Sequence, residues 1–230
     1  MTNDRKLHRQ LESAARAMHG EADVQDTVDR AAALAPGIVD GCDHAGVTII
    51  TRDGEIQTQT ASDEIHRQVE DLQHALREGP CFDALWTTET VRSPDLAADE
   101  RWPRWAPRAV RELGTASMVC YQLFVTEKSL GSMNLYSRRR HAFDDDAMDA
   151  GAHLAANVAV ALAASQESEQ LHSALATRTT IGQAEGILME RFDVSADRAF
   201  AILRRVSQDS NVKLRDVAAR LVQTRRTPGR

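Results

Sequence analysis

The side chains of this sequence that could do chemistry are mainly cations near its C-terminus. Residues 178–230 contain 11 Lys and Arg against 6 Asp and Glu, whereas residues 1–164 contain 17 against 26. A cationic module on an acidic protein is the pattern expected of a surface that faces phosphate. Polar side chains that could read bases lie between these cations. We predict that nucleic acid contacts eight residues: Arg178, Gln183, Arg204, Arg205, Ser207, Asn211, Lys213 and Arg215.

Aromatic side chains are scarce in the same region, which contains only two phenylalanines. The apolar periodicity predicts that Phe200 lies in the core, so extended stacking of single-stranded bases is disfavoured. A structured RNA element such as a hairpin loop fits the composition better. We expect Arg204 and Lys213 to provide affinity through phosphates, and Gln183 and Asn211 to select the loop sequence.

Catalytic and metal chemistry find little support in the sequence. It has no Gly-x-Ser-x-Gly, Walker or His-Glu-x-x-His motif, so we predict no catalytic residues. Its three cysteines, Cys42, Cys81 and Cys120, form no Cys-x-x-Cys pair, which indicates neither disulfides nor zinc. The acidic run at 144–146 begins a helix, where the dipole accounts for it. We predict no metal site and no definite cofactor, and interpret Cys81 as a small buried residue rather than a redox or chromophore-attachment site.

The elements before this module predict an α+β domain with an antiparallel sheet. Apolar residues at helical spacing indicate two opening helices, the second ending at Pro36-Gly37. β-Branched residues on both sides of Asp53-Gly54 indicate a hairpin of strands at 45–50 and 55–60. The remaining predicted elements are a helix at 66–77, a loop at 78–82, a helix at 102–113, and strands at 117–125 and 130–136.

A single long helix is predicted to leave the sheet. From Asp144 to Gly182 the sequence has no proline and keeps apolar residues at helical spacing, which predicts a helix at about 145–190. A 3,4-spaced seam along it consists of Ala161, Ala164, Ser168, Leu171 and Leu175. This seam is compatible with a coiled-coil dimer. Packing of the helix against its own domain is the alternative.

Two further helices are predicted to complete a three-helix bundle. Ser195 is predicted to cap the first of them, and Ser210-Asn211 to separate it from the second. In the preceding helix Gly182 and Gly186 lie four residues apart, although each glycine costs a helix about 1 kcal/mol relative to alanine. Close approach of another helix or of an RNA backbone would account for them.

The C-terminal quarter of the chain resembles an ANTAR domain. The resemblance rests on RTTIGQAEGILM at 178–189, SADRAFAILR at 195–204 and NVKLRDVA at 211–218. It implies a three-helix RNA-binding module of bacterial antitermination regulators. As a dimer, such a module binds paired hairpins in nascent mRNA and keeps a terminator from forming.

The front of the chain resembles a GAF sensor domain of the kind that precedes ANTAR domains in actinobacterial proteins. The segments that carry the resemblance are AGVT at 45–48, EGPC at 78–81, RWP at 101–103 and GSMNLY at 131–136. The resemblance implies an antiparallel sheet of about six strands with helices on its faces. It also implies a pocket for a small-molecule ligand, which the sequence does not identify.

Together these features predict an N-terminal helix at 1–20, a GAF sensor domain at 21–164 and an ANTAR domain at 165–230. The predicted function is a signal-responsive RNA-binding antiterminator that acts as a homodimer, with the transcription machinery or a small-molecule signal as further partners. The alternative is a small-molecule sensor that acts through protein contact of its helical tail. A polar N-terminus and the lack of an apolar run near 20 residues predict a cytoplasmic protein without a membrane segment.

Overall fold

The computed structural model describes residues 2–19, 21, 23–50, 56–61, 64–86, 90–125 and 128–224. The chain divides into two compact units, Met1–Glu167 and Ser168–Arg230. One long helix begins in the first unit and ends in the second. The domain limits at 20/21 and 164/165 stay predictions of the sequence.

The first unit is an antiparallel sheet with helices on its faces. In chain order its elements are α1 (Thr2–His19), α2 (Val24–Ile38), β1 (His44–Ile50), β2 (Ile56–Ala61), α3 (Glu64–Leu76), α4 (Pro80–Trp86), β3 (Thr90–Ser93), α5 (Ala106–Leu113), β4 (Ser117–Val125), β5 (Lys128–Ser137) and the start of α6 (Asp145–Phe192). The strand order is β2-β1-β5-β4-β3, and every neighbouring pair is antiparallel. The predicted α+β class is confirmed, with five strands in the described residues where the resemblance implied about six.

The sheet separates two cores because successive side chains of a strand point to opposite faces. On β4, Val119, Tyr121 and Leu123 are buried in the core that includes residues of α1, α2 and α6. Met118 and Cys120, which alternate with these residues along the strand, are buried in the core that includes residues of α3, α4 and α5. The apolar run of this strand is therefore explained by burial on both faces.

Helix α6 has 48 residues, which confirms the predicted long helix. Its residues Leu154, Val158 and Leu162 are fully buried in the first unit. Among the described residues it is the one helix that is long and apolar enough to cross a membrane. The sequence analysis expected no such segment. Half of its most apolar 18-residue stretch is buried within the fold.

The second unit is a helical bundle of the end of α6, α7 (Ala196–Ser210) and α8 (Leu214–Thr224). The Ser195 side chain accepts a hydrogen bond from the Arg198 amide at the start of α7, as predicted. Asn211 ends this helix in the left-handed conformation at φ 53°. The buried core of the unit consists of Ala184, Leu188, Ala199, Leu203, Val217, Ala218 and Leu221.

Several element boundaries that were predicted from prolines and glycines were wrong. Pro36 lies inside the last turn of α2, where its missing N–H removes one hydrogen bond without ending the helix. Pro80 begins helix α4 instead of continuing a loop, because proline is tolerated in a first helical turn. The predicted helix at 102–113 begins only at Ala106. The predicted turn at 53–54 lies outside the described residues.

Candidate functional site

The cations of the second unit are displayed on its surface. Eight of them lie in the described range 178–224, and all eight are exposed: Arg178, Arg191, Arg198, Arg204, Arg205, Lys213, Arg215 and Arg220. Arg205 pairs with Asp209 at 3.6 Å, and Arg215 pairs with Asp216 at 3.4 Å. Within the part of the chain that the structure describes, Arg204 and Lys213 have no ion-pair partner, so both remain able to pair with phosphate.

Helix α7 presents its predicted contacts on two different sides. Phe200, Arg204 and Ser207 follow one another at i, i+4 and i+7 along one side. Arg198 and Arg205 are seven residues apart along another side. Arg204 and Arg205 are therefore not equivalent, although they are adjacent in sequence.

The prediction that Phe200 lies in the core was wrong. Its side chain is 38% exposed. The buried stripe of α7 uses Ala199 and Leu203 instead, and the next residue along a helix is rotated by about 100° from the stripe. An aromatic ring thus lies on the surface one turn before Arg204, where it adds a stacking group to the predicted contacts.

The connection between α7 and α8 brings four predicted contacts close together in the chain. The Ser207 hydroxyl donates to the Val212 carbonyl at 2.5 Å, and Asn211 provides the left-handed residue that ends α7. Lys213 and Arg215 lie at the start of α8. Ser207 and Asn211 therefore have structural roles here, and their contact with bases stays a prediction.

The two predicted contacts on α6 do not share a face. Arg178 and Gln183 are both exposed, but residues five apart in a helix are separated by about 140° around its axis. Between them, Gly182 is open: a Cβ built there, or on Gly186, would meet no described atom within 4 Å apart from its chain neighbours and the nearby backbone of its own helix. Close packing of another helix of the same chain therefore does not explain these glycines. The remaining explanation is the close approach of a binding partner.

The outer side of α6 carries exposed apolar residues. Leu171 and Leu175 are 59% and 61% exposed, and Gly182 and Met189 continue their side of the helix at seven-residue intervals. The predicted seam was wrong at its first position, because Ala161 is buried in the core of the first unit. We call Leu171, Leu175, Gly182 and Met189 the outer stripe of α6.

A buried polar cluster lies between the sheet and helix α3 of the first unit. Its centre is Glu70, which is fully buried. The Glu70 carboxylate accepts hydrogen bonds from the Thr48 hydroxyl at 2.9 Å, from the Asn134 amide at 2.5 Å and from the Tyr136 hydroxyl. Strands β1 and β5 thus hold a carboxylate that α3 carries into the interior.

Two further ionisable side chains adjoin Glu70. His74 follows it by one turn of α3, and Cys81 lies in the first turn of α4. The Cys81 sulfur is 3.1 Å from the Ser132 hydroxyl and is hydrogen bonded to the Cys120 thiol. The predicted burial of Cys81 is confirmed, but its neighbours are polar and it lies on a helix.

The two compact units match two domain families. The sequence model of the GAF domain matches residues 21–163, more than half of the chain, and that of the ANTAR domain matches residues 169–222. The protein is a GAF–ANTAR regulator. Its ANTAR domain places it among RNA-binding regulators of transcription antitermination, and its GAF domain is a sensor domain. Both are regulatory domains.

Solved structures share the GAF fold of this GAF–ANTAR regulator. The GAF domain of a phosphoenolpyruvate-protein phosphotransferase from Coxiella burnetii is similar at TM-score 0.57 and 14% identity, over 71% of this chain and 96% of that one. The corresponding domain from Acinetobacter gives 0.56 and 13%, over 72% and 98%. The reduced form of fRMsr of Staphylococcus aureus gives 0.53 and 13%, over 68% and 94%. Such identities establish the fold alone.

No curated protein sequence matches the GAF–ANTAR regulator. The polar cluster in its GAF domain escaped sequence reasoning, which looked for cysteine pairs. The signal that could have found it is the spacing Glu70-x-x-x-His74 inside a predicted helix, followed by Cys81. Residues i and i+4 of a helix share a face.

Burial in the GAF domain shifts the proton equilibria of this cluster. Desolvation raises the pKa of Glu70 to about 8, despite the hydrogen bonds that favour its charged form. The hydrogen bond from Cys120 holds the pKa of the Cys81 thiol well below its usual range. The regulator therefore keeps Glu70 largely protonated at neutral pH unless a cation neutralises it.

Replacing Glu70 with glutamine in the GAF–ANTAR regulator tests this shift. Between pH 4.5 and about 8 the folded state binds more protons at Glu70 than the unfolded state, so wild-type stability falls as pH rises. We expect the difference in free energy of unfolding between wild type and Glu70→Gln to change by up to about 1.4 kcal/mol per pH unit in this window. Urea unfolding in EDTA-containing buffer measures it, and a pH-independent difference contradicts the shift.

Proposed function

We propose that this GAF–ANTAR regulator is a cytoplasmic, signal-responsive transcription antiterminator that acts without catalysis. It is a homodimer whose two ANTAR domains bind paired hairpins in a nascent mRNA. The observation that carries this proposal is that all eight described cations are exposed on a compact helical unit with an ANTAR sequence. Cations held at fixed positions on folded helices can set the register and orientation of a bound nucleic acid through its phosphates.

The start of α8 supports phosphate binding. Lys213 and Arg215 lie at this helix N-terminus, where the helix dipole disfavours cations and favours anions. The Lys213 carbonyl accepts the first amide hydrogen bonds of the helix, so Lys213 is the residue that caps its N-terminus. A phosphate at this position would satisfy both the cations and the amides.

The outer stripe of α6 supports a homodimer. Leu171 and Leu175 are exposed apolar side chains at coiled-coil spacing, and the open Gly182 and Gly186 permit close approach of a second backbone. Two copies of α6 that pair along this stripe would bury these residues. The pairing also places two ANTAR domains in one molecule.

Dimerisation gives the proposal its selectivity for two hairpins. When one ANTAR domain is bound, the second hairpin of the same RNA meets the other domain at high effective concentration. The gain in avidity is of order 10²–10⁴-fold when the spacing fits. The GAF domain, through its small-molecule signal, would regulate this binding, and the transcription machinery is a further partner.

A binding titration of the full chain tests the proposed function. The probes are an RNA with two adjacent hairpins, a single-hairpin RNA and a matched duplex DNA, each at low and physiological salt. We expect preference for two hairpins and a log–log salt slope of about 0.7–0.9 per neutralised phosphate. Equal binding to all three probes contradicts the RNA proposal. Absence of RNA binding with salt-insensitive binding to a protein partner would favour the alternative of a sensor that acts through protein contact.

A further inference from the structure

Three side chains with metal-binding atoms converge between α3 and α4 of the GAF domain. Glu70, His74 and Cys81 each offer one ligand atom, and these atoms all lie within 4.8 Å of one another. Some point is therefore within about 2.8 Å of all three atoms. Small side-chain movements would bring them to the roughly 2.0–2.3 Å of zinc–ligand bonds.

The turn between the two helices fixes the position of Cys81. Gly79 has φ +137°, and a Cβ on it would lie 2.4 Å from the Gln73 side-chain oxygen, so only glycine fits. The same Gln73 oxygen accepts a hydrogen bond from the Cys81 backbone amide at 2.8 Å. The hydrogen bond from its backbone amide to Gln73 thus anchors Cys81 to α3.

Surrounding groups orient the prospective ligands in the way that outer-shell residues orient metal ligands. A carboxylate has about four acceptor positions, and Thr48, Asn134 and Tyr136 occupy three of those on Glu70. One position is left. The Cys81 sulfur likewise has hydroxyl and thiol neighbours that can donate to a thiolate.

An unsatisfied acceptor points to a missing partner in the cluster. The Oδ1 atom of Asn134 is buried and has no hydrogen-bond partner within the described residues, whereas the His74 ring is hydrogen bonded to the Cys81 side chain. Buried polar atoms are normally paired. A divalent cation with one carboxylate, one thiolate and a neutral imidazole carries no net charge, so its burial avoids the cost of an isolated charge.

We infer that Glu70, His74 and Cys81 bind a divalent transition-metal ion in the GAF domain. Sulfur and nitrogen donors select ions of the zinc and iron(II) class, whereas calcium and magnesium require oxygen ligands throughout. The ion would join α3 to α4 across the Gly79 turn. This inference is independent of the RNA proposal, since it concerns only the GAF domain.

Cobalt(II) substitution in the full chain tests the site. Protein stripped with chelator is titrated with Co²⁺, and we expect a thiolate-to-cobalt absorption band that saturates at one ion per chain. The matched control is Cys42→Ser, which removes a buried thiol from the opposite core and should keep the band. Tyr136→Phe removes one hydrogen bond to Glu70 and should weaken cobalt affinity about 10–100-fold. Metal analysis of the purified protein distinguishes zinc from iron.

The site is overturned if wild type gives no thiolate band at a tenfold excess of Co²⁺, or if Cys81→Ser keeps it. Circular dichroism verifies that each variant is folded. Should Cys81→Ser fail to fold, Glu70→Gln and His74→Gln take its place. Zn²⁺ is expected to raise the Tm of wild type and not that of these variants, because only a binding-competent folded state is stabilised by ligand. An equal rise in Tm in both variants contradicts the site.

Discussion

Replacing Leu171 and Leu175 with glutamate is expected to convert the proposed dimer into a monomer and to weaken binding of a two-hairpin RNA by about 10²–10⁴-fold. Both side chains are more than half exposed on the outer stripe of α6. Glutamates at the seam would place like charges opposite each other in the paired helices. Binding of a single hairpin should not change, because each ANTAR domain stays intact. Light scattering and RNA titration measure the two effects.

A matched variant separates the seam from the added charge. Gln170→Glu with Ser173→Glu adds the same two carboxylates to exposed positions of α6, on the side away from Leu171 and Leu175. It should remain dimeric and keep the preference for two hairpins. If Leu171→Glu/Leu175→Glu also remains dimeric, the interface lies elsewhere. If it is monomeric and still prefers two hairpins, avidity is not the source of selectivity.

The second large effect is expected from Arg204→Ala combined with Lys213→Ala. Both cations are exposed and have no ion pair among the described residues. Their replacement therefore removes phosphate contacts without leaving an acidic side chain unpaired. We expect RNA affinity to fall about 10²–10⁴-fold at physiological salt, since each of the two charged contacts contributes roughly 1.5–3 kcal/mol. The salt slope should become shallower by about 1.4–1.8. Titrations at several salt concentrations measure both quantities.

The control for this variant changes net charge equally in the GAF domain. Arg111→Ala with Arg138→Ala removes two exposed cations there and should leave affinity and salt slope near those of wild type. Unchanged binding by Arg204→Ala/Lys213→Ala would contradict the assigned contact surface. An equal loss in both double variants would indicate attraction by overall charge rather than contact.

Local patterns in the sequence predicted the helices of the second unit well. The start of α7 depends on Ser195, whose side chain caps the neighbouring amide, and its end depends on Asn211, which tolerates the left-handed conformation. Such signals act within one turn of the chain and can be read directly. The same reading failed at Pro36 and Pro80, because proline is compatible with both the end and the start of a helix.

The sequence by itself determined most of the segments that become helices and strands, the two domain families, and the excess of cations in the ANTAR domain, but it predicted neither helix α4 nor strand β3. These properties follow from residue periodicity, capping and composition, which are local. Only the tertiary structure decided which side chains meet or remain exposed. Phe200 is exposed because Ala199 takes the core position, and Glu70 meets Tyr136 from 66 residues away. Both outcomes depend on the packing of separate elements, which no local pattern specifies.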